Sequence, residues 1–316
     1  MNTEGRVTVS GANWLFLIVL ILQFAITFIV SIAELFYFAI TQRNPQETTL
    51  MNIILIMTQI FAVFLPAITY LKLKRVNIKD TLRLKSLKTF EIALIIIMGI
   101  TGQFIAQMLN IPVLYILDLL GEIPPSPISV PHTFDALIIS LLIVAVVPAI
   151  CEEIMMRGII MRAYEIRGTR TGLIISSLFF GFIHGDIKNF FGPLFFGLVF
   201  GYLVMRTGSL LAGIIAHFSN NVFAMLLAYL QENHLQQIPF LQSSYFLFIA
   251  FFMSVIIFIL AFILFNHITD WKVKSPVSTV TKDLKAAFLN IPIFITMVIY
   301  TFIQIIAIMD IVKGNV

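Results

Sequence analysis

The feature that most constrains this chain is a series of long apolar segments. A helix needs about 20 mostly apolar residues to cross the hydrocarbon core of a bilayer. Only 11% of the 316 residues are charged, whereas a soluble domain carries about a quarter, so these segments face lipid. We predict an all-α, polytopic transmembrane helix bundle of eight or nine spans. The candidate spans are 14–40, 51–71, 90–117, 134–161, 171–187, 190–205, 210–230, 244–266 and 288–309.

Two details of this division stay open in the sequence. The fifth and sixth segments are short and are separated only by the stretch around Asp186 and Lys188, so they predict either two full spans or a re-entrant pair. The run from Trp14 to Ile40 is too long for the apolar region of a signal peptide, and we expect a retained first span. We divide the chain into N-terminal helices with a basic loop (1–133), a core (134–230) and C-terminal helices (231–316).

The distribution of basic residues predicts the orientation. With the N-terminus inside, sixteen lysines and arginines fall in cytoplasmic segments and three in external ones, and positive loops stay cytoplasmic. The N-terminus is therefore expected inside, and the proline-rich loop 121–133 outside. The net charge of +4 is spread without a compact basic cluster, so no nucleic-acid partner is expected. We expect a multi-pass protein of the bacterial cell membrane.

The fourth candidate span contains three charged residues, Glu152, Glu153 and Arg157. Each charge at the centre of a bilayer costs at least about 2.5–3.5 kcal/mol. Glu153 and Arg157 are four residues apart, so they share a helix face and are expected to pair. Glu152 lies about 100° around the helix and is left without that local partner. A purely structural alternative is that Arg157 binds both carboxylates and locks two helices.

Two histidines in other candidate spans lie at a similar depth. At about 1.5 Å per residue from the nearest basic boundary residue, Glu152 is ~15 Å deep, His184 ~21 Å, His217 ~16 Å and Asn221 ~22 Å. A single intramembrane histidine is commonly a hydrogen-bonding group between helices, but a shared depth favours a common site. We therefore predict that these four residues line one water-accessible cavity, which opens to the cytoplasmic side or laterally to lipid.

This set of residues allows two chemistries. In the first, a desolvated carboxylate is a stronger base, and a histidine can hold water or move a proton. A second histidine and an asparagine amide can donate hydrogen bonds to an oxyanion. Alternatively, Glu152, His184 and His217 could bind one divalent metal such as zinc and leave a fourth position open. The sequence contains no HExxH motif, and the residues alone do not choose between these mechanisms.

Three short motifs follow one another on successive segments: EExxxR at Glu152, Glu153 and Arg157, FxxxH at Phe180 and His184, and HxxxN at His217 and Asn221. In this order they resemble the CPBP family, which comprises the type II CAAX prenyl endopeptidases and the bacteriocin-processing proteins, also called Abi proteins. The resemblance covers about residues 134–230. It implies an intramembrane endopeptidase whose substrate is a peptide or protein, lipidated or embedded in the lipid bilayer.

The resemblance also implies a role for each motif residue. Glu152 and His184 would activate the hydrolytic water, and His217 and Asn221 would stabilise the oxyanion. Glu153, Arg157 and Phe180 would support the site. Two other functions fit a polar site in a membrane: a non-enzymatic bacteriocin immunity or scaffold protein, and an ion-coupled transporter. Against the transporter, the sequence shows no internal repeat.

Overall fold

The computed structural model describes residues 5–42, 47–124, 130–234, 238, 240, 243–270 and 279–313. Each of the nine predicted spans is helical there, which confirms the polytopic helix bundle. Arg43, Lys272 and Lys274, which entered the charge argument, lie outside the described residues. The helices are α1 (Val9–Thr41), α2 (Leu50–Leu73, continuing a helix that begins at Glu47), α3 (Thr89–Asp118), α4 (Phe134–Arg167), α5 (Thr169–Ile183), α6 (Phe191–Thr207), α7 (Leu210–Asn233), α8 (Ser244–Ile268), α9 (Val280–Phe288) and α10 (Ile291–Lys313).

Seven of the described helices are long and apolar enough to cross a membrane, namely α1 to α4, α7, α8 and α10. Of the other three, α5 and α6 have 15 and 17 residues and α9 has 9. At about 1.5 Å per residue they are shorter than a hydrocarbon core of about 30 Å. One boundary differs from the prediction, because α5 ends at Ile183 and His184 caps it instead of lying inside the span. The orientation of the bundle stays a prediction.

Helices α2 and α4 are locally widened into π-helical turns. These turns are Thr58–Phe64 in α2, and Leu142–Val146 and Ile154–Ile160 in α4. Pro66 and Pro148 follow the first two turns. Proline has no N–H and its ring clashes with the carbonyl four residues back, so the regular hydrogen-bond ladder cannot continue. Such turns often occur at functional sites, and here they carry Gln59 and Arg157.

Helices α3 and α7 pack closely against each other. Helix α3 also packs on α6 and α8, and α4 packs on α2 and α7. At Gly99 of α3, an added Cβ would lie 2.6 Å from the carbonyl oxygen of Ala216 on α7. Apolar side chains gain little by leaving lipid for another helix, so small residues that let backbones approach are a main source of packing energy in membranes.

The ends of the helices on the predicted cytoplasmic side are held by polar contacts. The hydroxyl of Tyr164 on α4 donates to Asn13 Oδ1 on α1 at 2.6 Å. Arg167 Nε lies 2.6 Å from Asp283 Oδ1 on α9, and Thr171 Oγ1 donates to Asp283 Oδ2 at 2.8 Å. These contacts connect the N-terminal, central and C-terminal parts of the bundle into one framework around α4.

Candidate active site

A buried ion pair lies at the centre of the site. Arg157 Nη1 donates to Glu153 Oε1 at 2.6 Å, so the predicted pair of residues four apart is present. His217 Nδ1 on α7 lies 3.2 Å from the same carboxylate oxygen. Because a carboxylate only accepts, Nδ1 carries the proton in this contact. Arg157 Nη2 donates to the carbonyl of Gly197 at 3.2 Å, and no contact to Glu152 is formed, so Arg157 does not bind both carboxylates.

Aromatic rings enclose this ion pair. The guanidinium of Arg157 lies 4.4 Å from the centre of the Phe180 ring and 5.5 Å from that of Phe200. The ring of His217 stacks on Phe200, with centroids 5.2 Å apart, and meets the edge of Phe180. A cation held over an aromatic face is stabilised by the ring quadrupole, most strongly where water is excluded. Phe180 therefore supports both Arg157 and His217, from α5.

Glu152 has different surroundings from its neighbour. It is buried, and its Oε1 accepts a hydrogen bond of 2.6 Å from Gln59 Nε2 in the π-helical turn of α2. The second carboxylate oxygen, Oε2, is buried and has no hydrogen-bond partner among the described residues. Glu152 is therefore held by one donor only, and one of its oxygens stays available.

His184 follows the last residue of α5 and is oriented by that helix. Its Nδ1 lies 2.7 Å from the carbonyl of Phe180, which can only accept, so Nδ1 carries the proton. In the neutral ring Nε2 is then unprotonated and can accept a proton or bind a metal. Gly185 comes next with a φ of +66°, a conformation that glycine adopts without strain, and it turns the chain away from the helix axis.

Two hydrogen bonds hold the Asn221 side chain, one to α4 and one within α7. Its Nδ2 donates to the carbonyl of Val144 at 2.8 Å, and its Oδ1 accepts from Asn220 Nδ2 at 3.0 Å. Val144 lies in the π-helical turn Leu142–Val146. An amide nitrogen has two hydrogens, so the second N–H of Asn221 is available to a ligand.

These side chains face a cavity of about 520 Å³. Phe180, His184, His217 and Asn221 line it, together with Phe196 and Phe200 of α6. Glu152 is not part of this lining, although the sequence predicts that it shares the cavity. Its Oε1 instead accepts from Gln59 on α2, since depth along α4 does not determine which neighbouring helix a side chain meets.

The cavity extends away from the basic loop that joins α2 and α3. On α7 its lining runs from His217 to Ala228, on α4 it includes Val144, and it also includes Val130 in the loop before α4. With the N-terminus inside, this direction leads to the external side. The orientation and the predicted cytoplasmic or lateral opening both stay predictions.

The described residues do not fit the alternative metal site. No group of three or more His, Cys, Asp or Glu side chains converges in the described part of the chain as metal ligands would. Glu152 bonds to Gln59, and the Nδ1 of His217 is occupied by Glu153. We therefore derive no chemical step through a metal ion.

Unsatisfied polar atoms concentrate at this site. In the described residues, the buried side-chain polar atoms without a hydrogen-bond partner are Gln59 Oε1, Glu152 Oε2, Glu153 Oε2, Arg157 Nε and Asn220 Oδ1. Such atoms cost about 1–3 kcal/mol each and are rare in folded proteins. The polar groups of this site therefore retain hydrogen-bonding capacity that a ligand or water can use.

Comparisons with known proteins agree with the motifs. Residues 134–223 match the family model described as type II CAAX prenyl endopeptidase Rce1-like. YdiL, a candidate membrane peptidase of Bacillus subtilis (strain 168), is 27% identical over 212 residues, which are 66% of this chain and 85% of that protein. These two matches support assignment of the chain to the CPBP family. They likewise support a CAAX-type intramembrane protease at the level of the family. No solved structure matches the chain.

The structure adds residues to the site that lie outside the CPBP motifs. Gln59 holds Glu152 from α2. Gln304 of α10 accepts from the Ile187 N–H at 2.9 Å and donates to the Gly185 carbonyl at 2.8 Å, so it clamps the turn that follows His184. Amides inside apolar spans are the sequence signal that could have identified both, because a polar side chain in a membrane needs a partner.

Proposed function

We propose that this CPBP protein hydrolyses a peptide bond within the membrane by means of water activated by Glu152 and His184. The observation that supports this most directly is that His184, His217 and Asn221, from two different helices, line one cavity. In addition, Glu152 and His184 each retain one atom without a partner in the described residues, Oε2 and Nε2. Both atoms can accept a proton from water.

The proposed steps follow from the orientation of the rings. The water oxygen attacks the carbonyl carbon. Its proton passes to His184 Nε2, which lines the cavity, or through one bridging water to Glu152 Oε2, which lies outside the lining. The resulting oxyanion accepts hydrogen bonds from the free N–H of Asn221 and from protonated His217 Nε2. Glu153 stabilises that protonated ring through Nδ1. The acquired proton then moves to the leaving nitrogen as the carbon–nitrogen bond breaks.

The proposed mechanism uses glutamate and histidine without a metal, because the donor atoms do not converge on one point. We expect turnover to continue after divalent metals are removed with a chelator, and we expect no stoichiometric zinc in the purified protein. Elemental analysis and activity, measured on one preparation before and after treatment, test this. Loss of turnover with EDTA and its recovery with zinc would contradict the glutamate mechanism.

The proposed substrate is a peptide or protein that reaches the bilayer, in keeping with the name of the Bacillus relative. The test is incubation of the purified protein in nanodiscs with a panel of apolar and lipidated peptides, followed by mass spectrometry of the products. We expect cleavage that is lost in His184→Ala while thermal unfolding is unchanged. Absence of cleavage across the panel, together with tight binding of one partner, would instead favour the immunity or scaffold function.

A further inference from the structure

Amide side chains line much of the cavity beyond the two histidines. The amides of the lining are Gln103, Gln107, Asn110, Asn189, Asn220 and Asn221. No lysine, arginine, aspartate or glutamate occurs among the described residues of the lining. Because burying a charge without a counter-charge is costly, the cavity disfavours a charged ligand.

Some of these amides form hydrogen bonds to other groups of the protein. Asn110 Nδ2 donates to Asn189 Oδ1 at 2.7 Å, and Asn110 Oδ1 accepts from the N–H groups of Phe191 and Gly192 at 3.1 Å. Asn110 thus caps the start of α6 and is structural. The contacts of Asn221 to Val144 and Asn220 were described above.

Three other amides retain hydrogen-bonding capacity toward the cavity. Asn220 is 93% buried, since 7% of its surface is exposed, and its Oδ1 has no partner among the described residues. Gln103 on α3 is half-buried and Gln107 is exposed, and neither makes a side-chain hydrogen bond to the residues that the structure describes. A buried acceptor without a partner is explained if a ligand supplies the donor.

The spacing of the two glutamines matches an extended peptide. Residues four apart on a helix are about 6 Å apart along its axis. Alternate residues of an extended chain are about 6.6 Å apart and present their N–H and C=O groups to the same side. Each carboxamide has both a donor and an acceptor, which complements one such pair.

We propose that Gln103, Gln107 and Asn220 form a subsite for the main chain of an extended, uncharged peptide segment next to the scissile bond. This proposal rests on the proposed function and names its substrate class. The subsite recognises backbone groups, so it tolerates many apolar sequences. These three amides offer no counter-charge to a free terminal carboxylate, so we expect the segment beside the scissile bond to be uncharged.

The test uses a fluorogenic peptide from the panel that the wild-type protein cleaves. We expect Gln103→Leu and Gln107→Leu each to raise KM about five- to tenfold with kcat within about twofold, as loss of a hydrogen bond formed equally in the ground and transition states would do. Leucine is more apolar than glutamine, so folding in the bilayer is retained. The matched control is Gln23→Leu on α1, which lies outside the cavity and should change nothing.

A modified peptide separates main-chain recognition from a general packing defect. In this peptide an ester replaces one backbone amide near the scissile bond, which removes a single N–H. We expect the ester peptide to have a higher KM than the amide peptide with the wild-type protein. With the Gln variant that lacks the corresponding contact, we expect the two peptides to have the same KM. Three results would overturn the proposal. They are additive effects of the ester and the Gln substitution on KM, an unchanged KM, and a preference for a free carboxylate over a carboxamide beside the scissile bond.

A binding measurement keeps the subsite testable if no peptide is cleaved. Fluorescence anisotropy of a labelled, amidated apolar peptide is measured with the full chain in nanodiscs. Binding by wild type that is weakened about five- to tenfold in Gln107→Leu, but not in Gln23→Leu, would support the subsite even though the proposed function had failed. No detectable binding, or equal binding by both variants, would overturn the subsite.

Discussion

At the residue scale, Glu152 and Glu153 are neighbours whose carboxylates have different partners. Glu153 is bound by Arg157 and His217, and all three side chains are almost fully buried. Glu152 is held by the neutral amide of Gln59 alone. Glu153 therefore neutralises the buried charge of Arg157, whereas Glu152 neutralises no charge among the described residues. Substitutions of Glu152 and of Glu153 should therefore have different effects on turnover and stability.

We predict that Glu152→Gln abolishes turnover with little loss of stability, because the amide keeps the shape and removes the basicity. Glu153→Gln should instead destabilise the protein, because it leaves the buried charge of Arg157 without its counter-charge. Breaking such a pair costs about 3–5 kcal/mol. Thermal unfolding and turnover, measured on both purified variants, check this. A stable but inactive Glu153→Gln beside an active Glu152→Gln would show that the two roles are reversed.

At the scale of elements, the turn between α5 and α6 depends on a helix far away in the sequence. Gln304 of α10 bonds to the main chain at Gly185 and Ile187, directly after His184. Gln304 itself is buried. It does not line the cavity, so we assign it a positioning role through His184. The C-terminal span thereby takes part in the site, although it lies outside the residues that match the family model.

We predict that Gln304→Leu lowers kcat about tenfold with little change in KM, because His184 loses its orientation while peptide binding is unaffected. Gln304→Glu keeps the acceptor for Ile187 but loses the donor to Gly185, so it should be intermediate. Gln23→Leu is again the control. Kinetics and thermal unfolding of the three variants decide this. Parallel loss of stability and of activity would indicate a structural role alone.

At the scale of the whole molecule, the cavity and the basic loop lie toward opposite ends of the bundle. The lining reaches Val130 and Ala228, while Lys79 lies in the loop between α2 and α3. If basic loops face the cytoplasm, substrate reaches the site from the external side. With this orientation, we expect the protein to meet its proposed substrates on the external side.

We predict that cysteines introduced as Ala228→Cys and Lys79→Cys react with a membrane-impermeant maleimide from opposite sides. The background is Cys151→Ala, which removes the single, buried native cysteine. In intact cells Ala228→Cys should be labelled, and Lys79→Cys should be labelled only after lysis. The reverse result would mean an inverted bundle. Labelling of both positions from one side would contradict the assigned direction of the cavity.

Much of this architecture follows from the sequence alone. Each apolar segment must satisfy its backbone hydrogen bonds internally in lipid, so its length predicts a helix wherever it lies. The spacing of Glu153 and Arg157 likewise determines that they can pair, because both lie on one helix face. The order of the three motifs indicates the family, since the residue types and spacings are themselves the signal.

Only the tertiary structure decided which side chains meet across helices. Gln59 and Gln304 lie 93 and 120 residues from Glu152 and His184, and no local spacing relates them. Depth along a helix predicts which residues share a layer of the membrane, but not the direction in which each one points. For this reason Glu152, at the expected depth, bonds to Gln59 on α2 through Oε1 and is absent from the cavity lining, whereas His217 contacts Glu153 and also lines the cavity. Helix rotation depends on the packing of all neighbours together, and that information is distributed over the whole chain.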